Sequence, residues 1–204
     1  VYTTAAGEKQ LIFISMANGI TGIDPETGKE LWEASDLFDK RTVSSPVIAG
    51  EYVIGTCGSG GGGNYLVAVR PEKTDSGYEA KTAFRIRRAA PYVPTPIYKD
   101  DRLYLWSDGG IVSCIEVETG DTLWSERVGG RYFGSPILMD DRILCVSDTG
   151  EAVWVAAADE FKILGRVQLS EGSNATPAFS GDTLYLRTET SLISIGGPRE
   201  LVVE

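Results

Sequence analysis

The stretch Ile23–Trp32 reads IDPETGKELW, and it returns as IEVETGDTLW at Ile115–Trp124. In both copies an apolar residue leads into a turn of acidic residues, threonine and glycine, and a leucine–tryptophan pair follows. Turn residues of this kind between short apolar runs are typical of antiparallel strands joined by hairpins. The two copies therefore mark equivalent positions in a repeated β-structured unit.

A second element sets the length of the repeat. Serine or threonine followed by proline opens each unit, at Pro46, Pro96, Pro136 and Pro177. The spacing is about 40 residues, with one unit about ten residues longer, and short apolar runs lie inside each unit. No window keeps a 3.6-residue apolar period, so essentially no helix is expected. This pattern predicts an all-β fold, a β-propeller segment of four-stranded antiparallel blades.

The repeat divides the 204 residues into one propeller segment with five blades. The expected limits are about 1–37, 42–88, 92–128, 132–170 and 173–204. The last strand of the fifth blade could only be Glu200–Val203, and the second blade is longer because of Gly58–Asn64 and the polar stretch 71–81. The chain lacks an initiator methionine and starts inside a strand, so we expect it to belong to a longer protein.

The two motif copies and the four proline openings resemble the pyrroloquinoline-quinone-like (PQQ-like) propeller family. That family includes quinoprotein alcohol dehydrogenases and an outer-membrane assembly lipoprotein. The resemblance implies that Trp32 and Trp124 are structural docking residues, each packed onto a neighbouring blade. Phe84 takes the tryptophan's place in the second blade, and the fourth blade has lost the aromatic residue near Leu164. Propellers of this family usually have seven or eight blades, which implies that further blades are missing here.

The residue types limit the possible chemistry. The chain has no histidine, which excludes a serine–histidine or cysteine–histidine nucleophile and the commonest zinc ligand. The resemblance implies a quinone held between a tryptophan and a disulfide of adjacent cysteines, but Cys57, Cys114 and Cys145 are widely spaced. We expect no catalytic residue, cofactor or metal, and we interpret the cysteines as buried thiols, with a Cys114–Cys145 disulfide as the alternative.

The net charge of −10 and the pI near 4.6 argue against nucleic acid or an anionic membrane as a partner. No apolar run is long enough to insert into a membrane. Alternate turns of a meander point to opposite ends of a blade, so the charges can be sorted by end. The end with the first and third turns of each blade, which we name the turn end, carries the acidic excess. The end with the blade-to-blade connections, the connection end, is nearly neutral. The simplest interpretation of the acidic turn end is that its solvated turns carry acidic residues for solubility.

The connection end combines basic and aromatic residues. These are Lys40, Arg41, Arg87, Arg88, Tyr92, Arg131 and Tyr132, with Phe38 and Phe133 beside them. Arginine next to aromatic residues is typical of binding surfaces. The sequence favours a non-catalytic binding or scaffold domain that engages a protein segment or an anionic small ligand here. The alternatives are a degenerate quinoprotein dehydrogenase whose site lies in missing blades, and a sensor domain of a larger membrane-tethered protein. The resemblance also implies a periplasmic or other extracytoplasmic location.

A segment of a larger ring leaves an apolar face open at each end. We expect these faces around Leu11, Phe13 and Trp32 in the first blade and around Leu184, Leu186 and Ile193 in the fifth. Apolar areas of that size rarely stay exposed in a monomer. The chain should therefore close into a small five-bladed ring or self-associate through these faces, and association is favoured.

Overall fold

The computed structural model describes residues 1–4 and 7–196, and within these ranges the chain contains strands and no helix. Consequently none of the described residues forms a helix that could span a membrane. The strands form five separate antiparallel sheets that follow one another along the chain. In each sheet the spatial order of the strands equals their order in the sequence, so every sheet is a simple meander.

The strand bounds define the five sheets. The first sheet contains β1 (Tyr2–Thr3), β2 (Lys9–Ser15), β3 (Gly19–Ile23) and β4 (Glu30–Ala34). The second contains β5 (Val47–Ala49), β6 (Tyr52–Cys57), β7 (Tyr65–Thr74) and β8 (Gly77–Ile86). The third contains β9 (Ile97–Lys99), β10 (Arg102–Trp106), β11 (Ile111–Glu116) and β12 (Thr122–Arg127). The fourth contains β13 (Ile137–Met139), β14 (Arg142–Val146), β15 (Glu151–Ala156) and β16 (Ile163–Gln168). The fifth contains β17 (Ala178–Ser180), β18 (Thr183–Arg187) and β19 (Leu192–Gly196). The predicted strand Glu200–Val203 lies outside the described residues.

A β-bulge recurs at one place in the first four sheets, where the third strand pairs with the fourth. It lies at Gly22/Ile23, Ala68/Val69, Cys114/Ile115 and Trp154/Val155. A bulge adds one unpaired residue, bends the strand and increases its twist. The structure therefore repeats in its irregularities as well as in its strands, as expected for repeated propeller blades.

The sheets pack face to face, and a buried apolar cluster lies between each consecutive pair. Strand β10 shows how one strand serves two interfaces. Leu103 and Leu105 join the cluster shared with the second sheet, whereas Tyr104 and Trp106 join the cluster shared with the fourth. Side chains that alternate across a strand produce this two-sided burial. The structure confirms the predicted all-β propeller segment of four-stranded antiparallel blades.

The predicted open faces combined residues from both sides of the first sheet and took the wrong side of the fifth. Trp32 is only 4% exposed and faces the second sheet, while Leu184 and Leu186 are buried against the fourth sheet. Phe13, also among the predicted residues, is exposed (55%) on the open side of the first sheet, and on the fifth sheet the exposed residue of that side is Leu192 (67%). Within the described residues, no apolar cluster contains both the first and the fifth sheet.

All three cysteines are buried and free, so the alternative of a Cys114–Cys145 disulfide is not realised. Burial raises the pKa of the Cys114 thiol to about 11 and raises that of Cys145 further. Thiols held in the protonated form are poor nucleophiles and poor metal ligands. Their environment is that of small apolar residues in the core.

Candidate binding surface

The connection end of the second sheet displays two of the predicted residues, because the chain turns sharply after β8. Arg87 and Arg88 are exposed, and Ala89 next to them has a φ of +56°. This left-handed conformation costs a residue with a Cβ atom about 1–2 kcal/mol. Strain of this kind is found where the surrounding structure fixes a local geometry, and it often marks functional sites.

Arg87 stacks on an aromatic ring that it shares with a second arginine. The guanidinium carbons of Arg87 and Arg85 each lie 5.0 Å from the centroid of the Tyr65 ring. The ring is buried, and its hydroxyl oxygen lies 2.8 Å from Asp39 Oδ1 and 3.0 Å from the carbonyl oxygen of Leu37. Burial raises the pKa of Tyr65, which keeps the phenol neutral. Tyr65 is therefore a fixed platform beneath two cations.

A second platform, the Tyr92 ring, lies in the connection between the second and third sheets. The guanidinium carbon of Arg41 lies 5.8 Å from the centroid of the Tyr92 ring. The backbone N–H groups of Tyr92 and Val93 donate to the carboxylate of Asp108, at 2.6 and 3.1 Å. The Asp108 carboxylate thus positions the Tyr92 backbone under Arg41.

Lys40 has a structural role at the same end. Its ammonium group donates to the carbonyl oxygens of Gly62 and Gly63, both at 2.9 Å, and so closes the glycine-rich loop between β6 and β7. The same loop connects the two platforms. Gly58 N–H donates to the Arg41 carbonyl at 3.0 Å, and Gly63 lines a depression of about 260 Å³ together with Arg87.

Three residues predicted for this surface do not belong to it. Tyr132 is 0% exposed, and its ring packs edge-on against Trp106 with centroids 5.2 Å apart, so it cannot contact a partner on this surface. Phe38 is also buried, against Tyr65. Arg131 is exposed, but it is paired with Asp148 at 2.6 Å and lies in the connection between the third and fourth sheets. Arg131 therefore does not join the residues around Tyr65.

The arginines differ in whether a carboxylate neutralises them. Arg70, Arg102 and Arg142 at the turn end all form ion pairs, and Arg102 binds Asp159 of the next sheet through two hydrogen bonds. Among the arginines that the structure describes, four have no ion pair and no hydrogen bond from the guanidinium. These four, which we name the arginine cluster, are Arg41, Arg85, Arg87 and Arg88. All four are exposed at the connection end of the second sheet.

The sequence analysis missed Arg85 and Tyr65. Arg85 lies inside β8, and Tyr65 is the first residue of β7. Their signal was the alternation Arg85-x-Arg87 where β8 ends at Ile86, and both guanidinium groups lie on the side of the sheet that carries the Tyr65 ring. The pairing of Leu66 with Ile86 then makes Tyr65 a cross-strand neighbour of Arg87.

The predicted docking residues lie at interfaces between sheets. Trp32 belongs to the cluster between the first two sheets, and its Nε1 donates to Gln10 Oε1 at 2.7 Å. Trp124 is half-buried and stacks on Phe161 of the fourth sheet, with centroids 5.2 Å apart. In the fourth sheet the position opposite Trp154 is Gly165, where the aromatic residue is absent.

The described residues do not fit a quinone or metal site of the kind that the family resemblance implied. Cys57, Cys114 and Cys145 lie in strands of different sheets, so no pair of adjacent cysteines is present. No group of three or more acidic or cysteine side chains in residues 1–4 and 7–196 is placed to hold a metal ion. No catalytic step is therefore assigned to these residues.

Comparison with known proteins places this geometry in a family. The model of the family described as outer membrane protein assembly factor BamB matches residues 87–196, more than half of the chain. The crystal structure of BamB from Moraxella catarrhalis superposes with a TM-score of 0.72 at 15% identity, covering 95% of this chain and 56% of that one. A europium-containing methanol dehydrogenase gives a TM-score of 0.48 at 14% identity, covering 62% of this chain and 24% of that one, and supports no inference.

No curated protein sequence matches the chain. The likeness to the Moraxella protein shows the fold, and the chain spans a little over half of that protein's length. The extent of the family match, together with the repeated sheets and their bulges, supports one conclusion: the chain belongs to the BamB family of PQQ-like β-propellers.

Proposed function

We propose that this chain is a non-catalytic scaffold segment that binds a partner protein through the connection end of its second sheet. The observation that carries the proposal is the arginine cluster, four exposed guanidinium groups without a carboxylate partner in a chain of net charge −10. Assembly factors act by holding other proteins, and the matched family bears that description. A fold alone does not establish a function, so the proposal depends on this site.

The chemistry of the surface suits a binding role. Stacking on a ring uses the face of a guanidinium and leaves its N–H groups at the edge to bind carboxylates. Since Tyr65 is buried and held through its hydroxyl, the arginines above it lose little freedom on binding. The 260 Å³ depression beside Arg87 supports a second candidate, an anionic small ligand.

The site of action follows from the family description. An outer membrane assembly factor works outside the cytoplasm, so we propose a periplasmic or other extracytoplasmic location. The three free thiols are buried in the core. Oxidants of an extracytoplasmic compartment therefore cannot reach them, so their reduced state is compatible with this location. Fractionation of cells that produce the full-length protein tests this location.

Photocrosslinking in cells tests the binding surface. A photoreactive phenylalanine analogue replaces Arg88 at the connection end or, as the matched control, exposed Glu118 at the turn end. We expect covalent adducts with a partner protein from position 88 and not from position 118. Adducts from position 118 alone, or from neither position, would refute the proposal.

Self-association is the other proposed interaction. The first and fifth sheets expose Phe13 and Leu192 on their outward faces. Covering such side chains removes apolar area from water, and this drives the association of protein surfaces. We propose that isolated copies of this chain associate through these residues.

A further inference from the structure

We propose that the arginine cluster recognises an extended acidic segment of the partner, with two carboxylates at alternate positions bound by Arg85 and Arg87. This inference rests on the proposed function and specifies the chemistry of the partner. The guanidinium carbons of Arg85 and Arg87 both lie 5.0 Å from the centre of the Tyr65 ring, so the two cations are held side by side.

The spacing of the two arginines favours an extended ligand. Arg85 lies in β8 and Arg87 directly follows its last residue, Ile86, and residues two apart in an extended chain project to the same side about 6.6 Å apart. An extended partner segment has the same repeat, so carboxylates at its positions i and i+2 can face Arg85 and Arg87 together. Strand β8 is the outermost strand of its sheet, so a segment can lie alongside it.

Electrostatics favours two anions at this point. Two guanidinium groups on one ring repel each other, and neither has a carboxylate within ion-pair distance among the described residues. Asp39, the nearby acid, is already hydrogen-bonded to the Tyr65 hydroxyl. Two incoming carboxylates would relieve this repulsion, and each could form a bidentate pair with one arginine.

The rest of the chain argues for a short acidic protein segment over a polyanion. The turn end carries the acidic excess, and a long nucleic acid or a phospholipid surface would be repelled by a protein of net charge −10. A segment with a few carboxylates contacts only the connection end. Arg41 on the Tyr92 ring and Arg88 extend the basic surface beyond β8.

The test uses synthetic peptides and fluorescence anisotropy with the purified chain. The probe is a labelled glycine–serine peptide with two glutamates at alternate positions. One control peptide carries two adjacent glutamates and a second carries glutamines at the alternate positions. We expect the alternating probe to bind several-fold more tightly than the adjacent one, and the glutamine peptide not to bind. Higher salt should weaken binding, because exposed charge pairs are screened.

Substitutions locate the binding site. Arg85→Gln and Arg87→Gln should each weaken binding of the probe about tenfold, the effect of losing one charge-assisted hydrogen-bonded pair. Arg142→Gln removes an exposed arginine at the turn end and should leave binding unchanged. Tyr65→Phe keeps the ring and should retain binding. Arg85→Lys keeps the charge without the planar fork and should bind less tightly than the unchanged chain.

The outcomes distinguish failure of the acidic-segment proposal from failure of the proposed scaffold function. Equal binding of the alternating and adjacent peptides, or equal competition by pyrophosphate or single-stranded DNA, would overturn the inference in favour of a general anion site. Absence of peptide binding combined with photoadducts from position 88 would also overturn it, while leaving the scaffold function intact. Peptide binding without photoadducts would instead support the acidic ligand and refute the proposed role in cells.

Discussion

The indole Nε1 of Trp124, on the outer strand of the third sheet, donates a 2.9 Å hydrogen bond to the carbonyl oxygen of Ala158 in the fourth sheet. The equivalent residue one sheet earlier, Phe84, lies against the turn glycine Gly120 of the third sheet, where a Cβ atom would approach its ring to 2.7 Å. In both cases an aromatic residue of one outer strand contacts the third turn of the next sheet. Docking therefore runs in one direction along the chain.

We expect Trp32→Ala to lower the free energy of unfolding by about 3–5 kcal/mol, because it removes a buried indole and leaves a cavity. Trp124→Ala should cost less, about 1–3 kcal/mol, since its side chain is only half-buried. Leu123→Ala, at an exposed position on the same strand, is the control and should change stability by less than about 0.5 kcal/mol. Denaturant unfolding measures all three. A Trp32→Ala protein with an unchanged midpoint would contradict the docking role.

Alanine substitutions at two equivalent glycines distinguish the cost of backbone strain from the cost of a clash between sheets. Gly28 and Gly120 occupy the same place in the two motif copies, with φ of +70° and +77°. In Gly28→Ala the added Cβ atom has no neighbour within 4 Å, so the substitution should lower the free energy of unfolding by about 1–2 kcal/mol through its positive φ alone. In Gly120→Ala the Cβ atom also clashes with the Phe84 ring, so this substitution should lower the free energy of unfolding by about 1–3 kcal/mol more. Thermal or denaturant unfolding compares them, and equal costs would show that the contact with Phe84 is loose.

Acid should weaken the connection between the fourth and fifth sheets through Glu171. The hydroxyls of Thr188 and Thr190 and the Thr190 N–H donate to this carboxylate and lower its pKa from 4.5 to about 2. A lowered pKa in the folded state stabilises the fold above pH 4.5, and the contribution is lost as the pH falls towards 2. We expect Glu171→Gln to flatten the dependence of the unfolding midpoint on pH between about 4.5 and 2.5. Glu189→Gln, in the turn between β18 and β19, serves as the control, and an identical profile for both variants would contradict the assignment.

Self-association should depend on the outward apolar residues. At micromolar concentration, light scattering should give a mass above that of the 22.0 kDa monomer. Replacing Phe13 and Leu192 by serine should shift the population towards monomer, because these side chains are exposed on the outward faces of the first and fifth sheets. Val43→Ser is the control, since Val43 is exposed at the connection end. A monodisperse monomer of the unchanged chain would refute the association.

Titration with pyrroloquinoline quinone and calcium should produce no stoichiometric change in absorbance. The physical reason is the placement of the three cysteines in separate sheets, which leaves no adjacent pair to hold the quinone. Saturable uptake at one quinone per chain with a calcium requirement would instead show a cofactor site.

The sequence predicted the fold because the repeat is encoded in residues whose effect is local. A turn that needs glycine with positive φ, and a proline before each first strand, fix the period wherever they occur. Which face of a sheet a given side chain occupies depends on packing between sheets, and the 40-residue repeat carries no information about that packing. Arg131 and Tyr132 are adjacent in the sequence, yet one is exposed and the other is fully buried. The same ambiguity led to the wrong faces for Trp32 and Leu184 and hid Arg85 inside a strand.

The one-way docking of aromatic residues gives the propeller segment a direction along the chain. The outer aromatic residues of the first three blades, Trp32, Phe84 and Trp124, stay covered only while the following blade is folded, whereas the following blade does not need its own aromatic residue to provide that cover. Loss of a blade should therefore loosen the one before it in the chain more than the one after it. During synthesis from the N-terminus, each new blade would seal its predecessor, and the Trp124 indole would report by its fluorescence when the fourth blade has closed over the third.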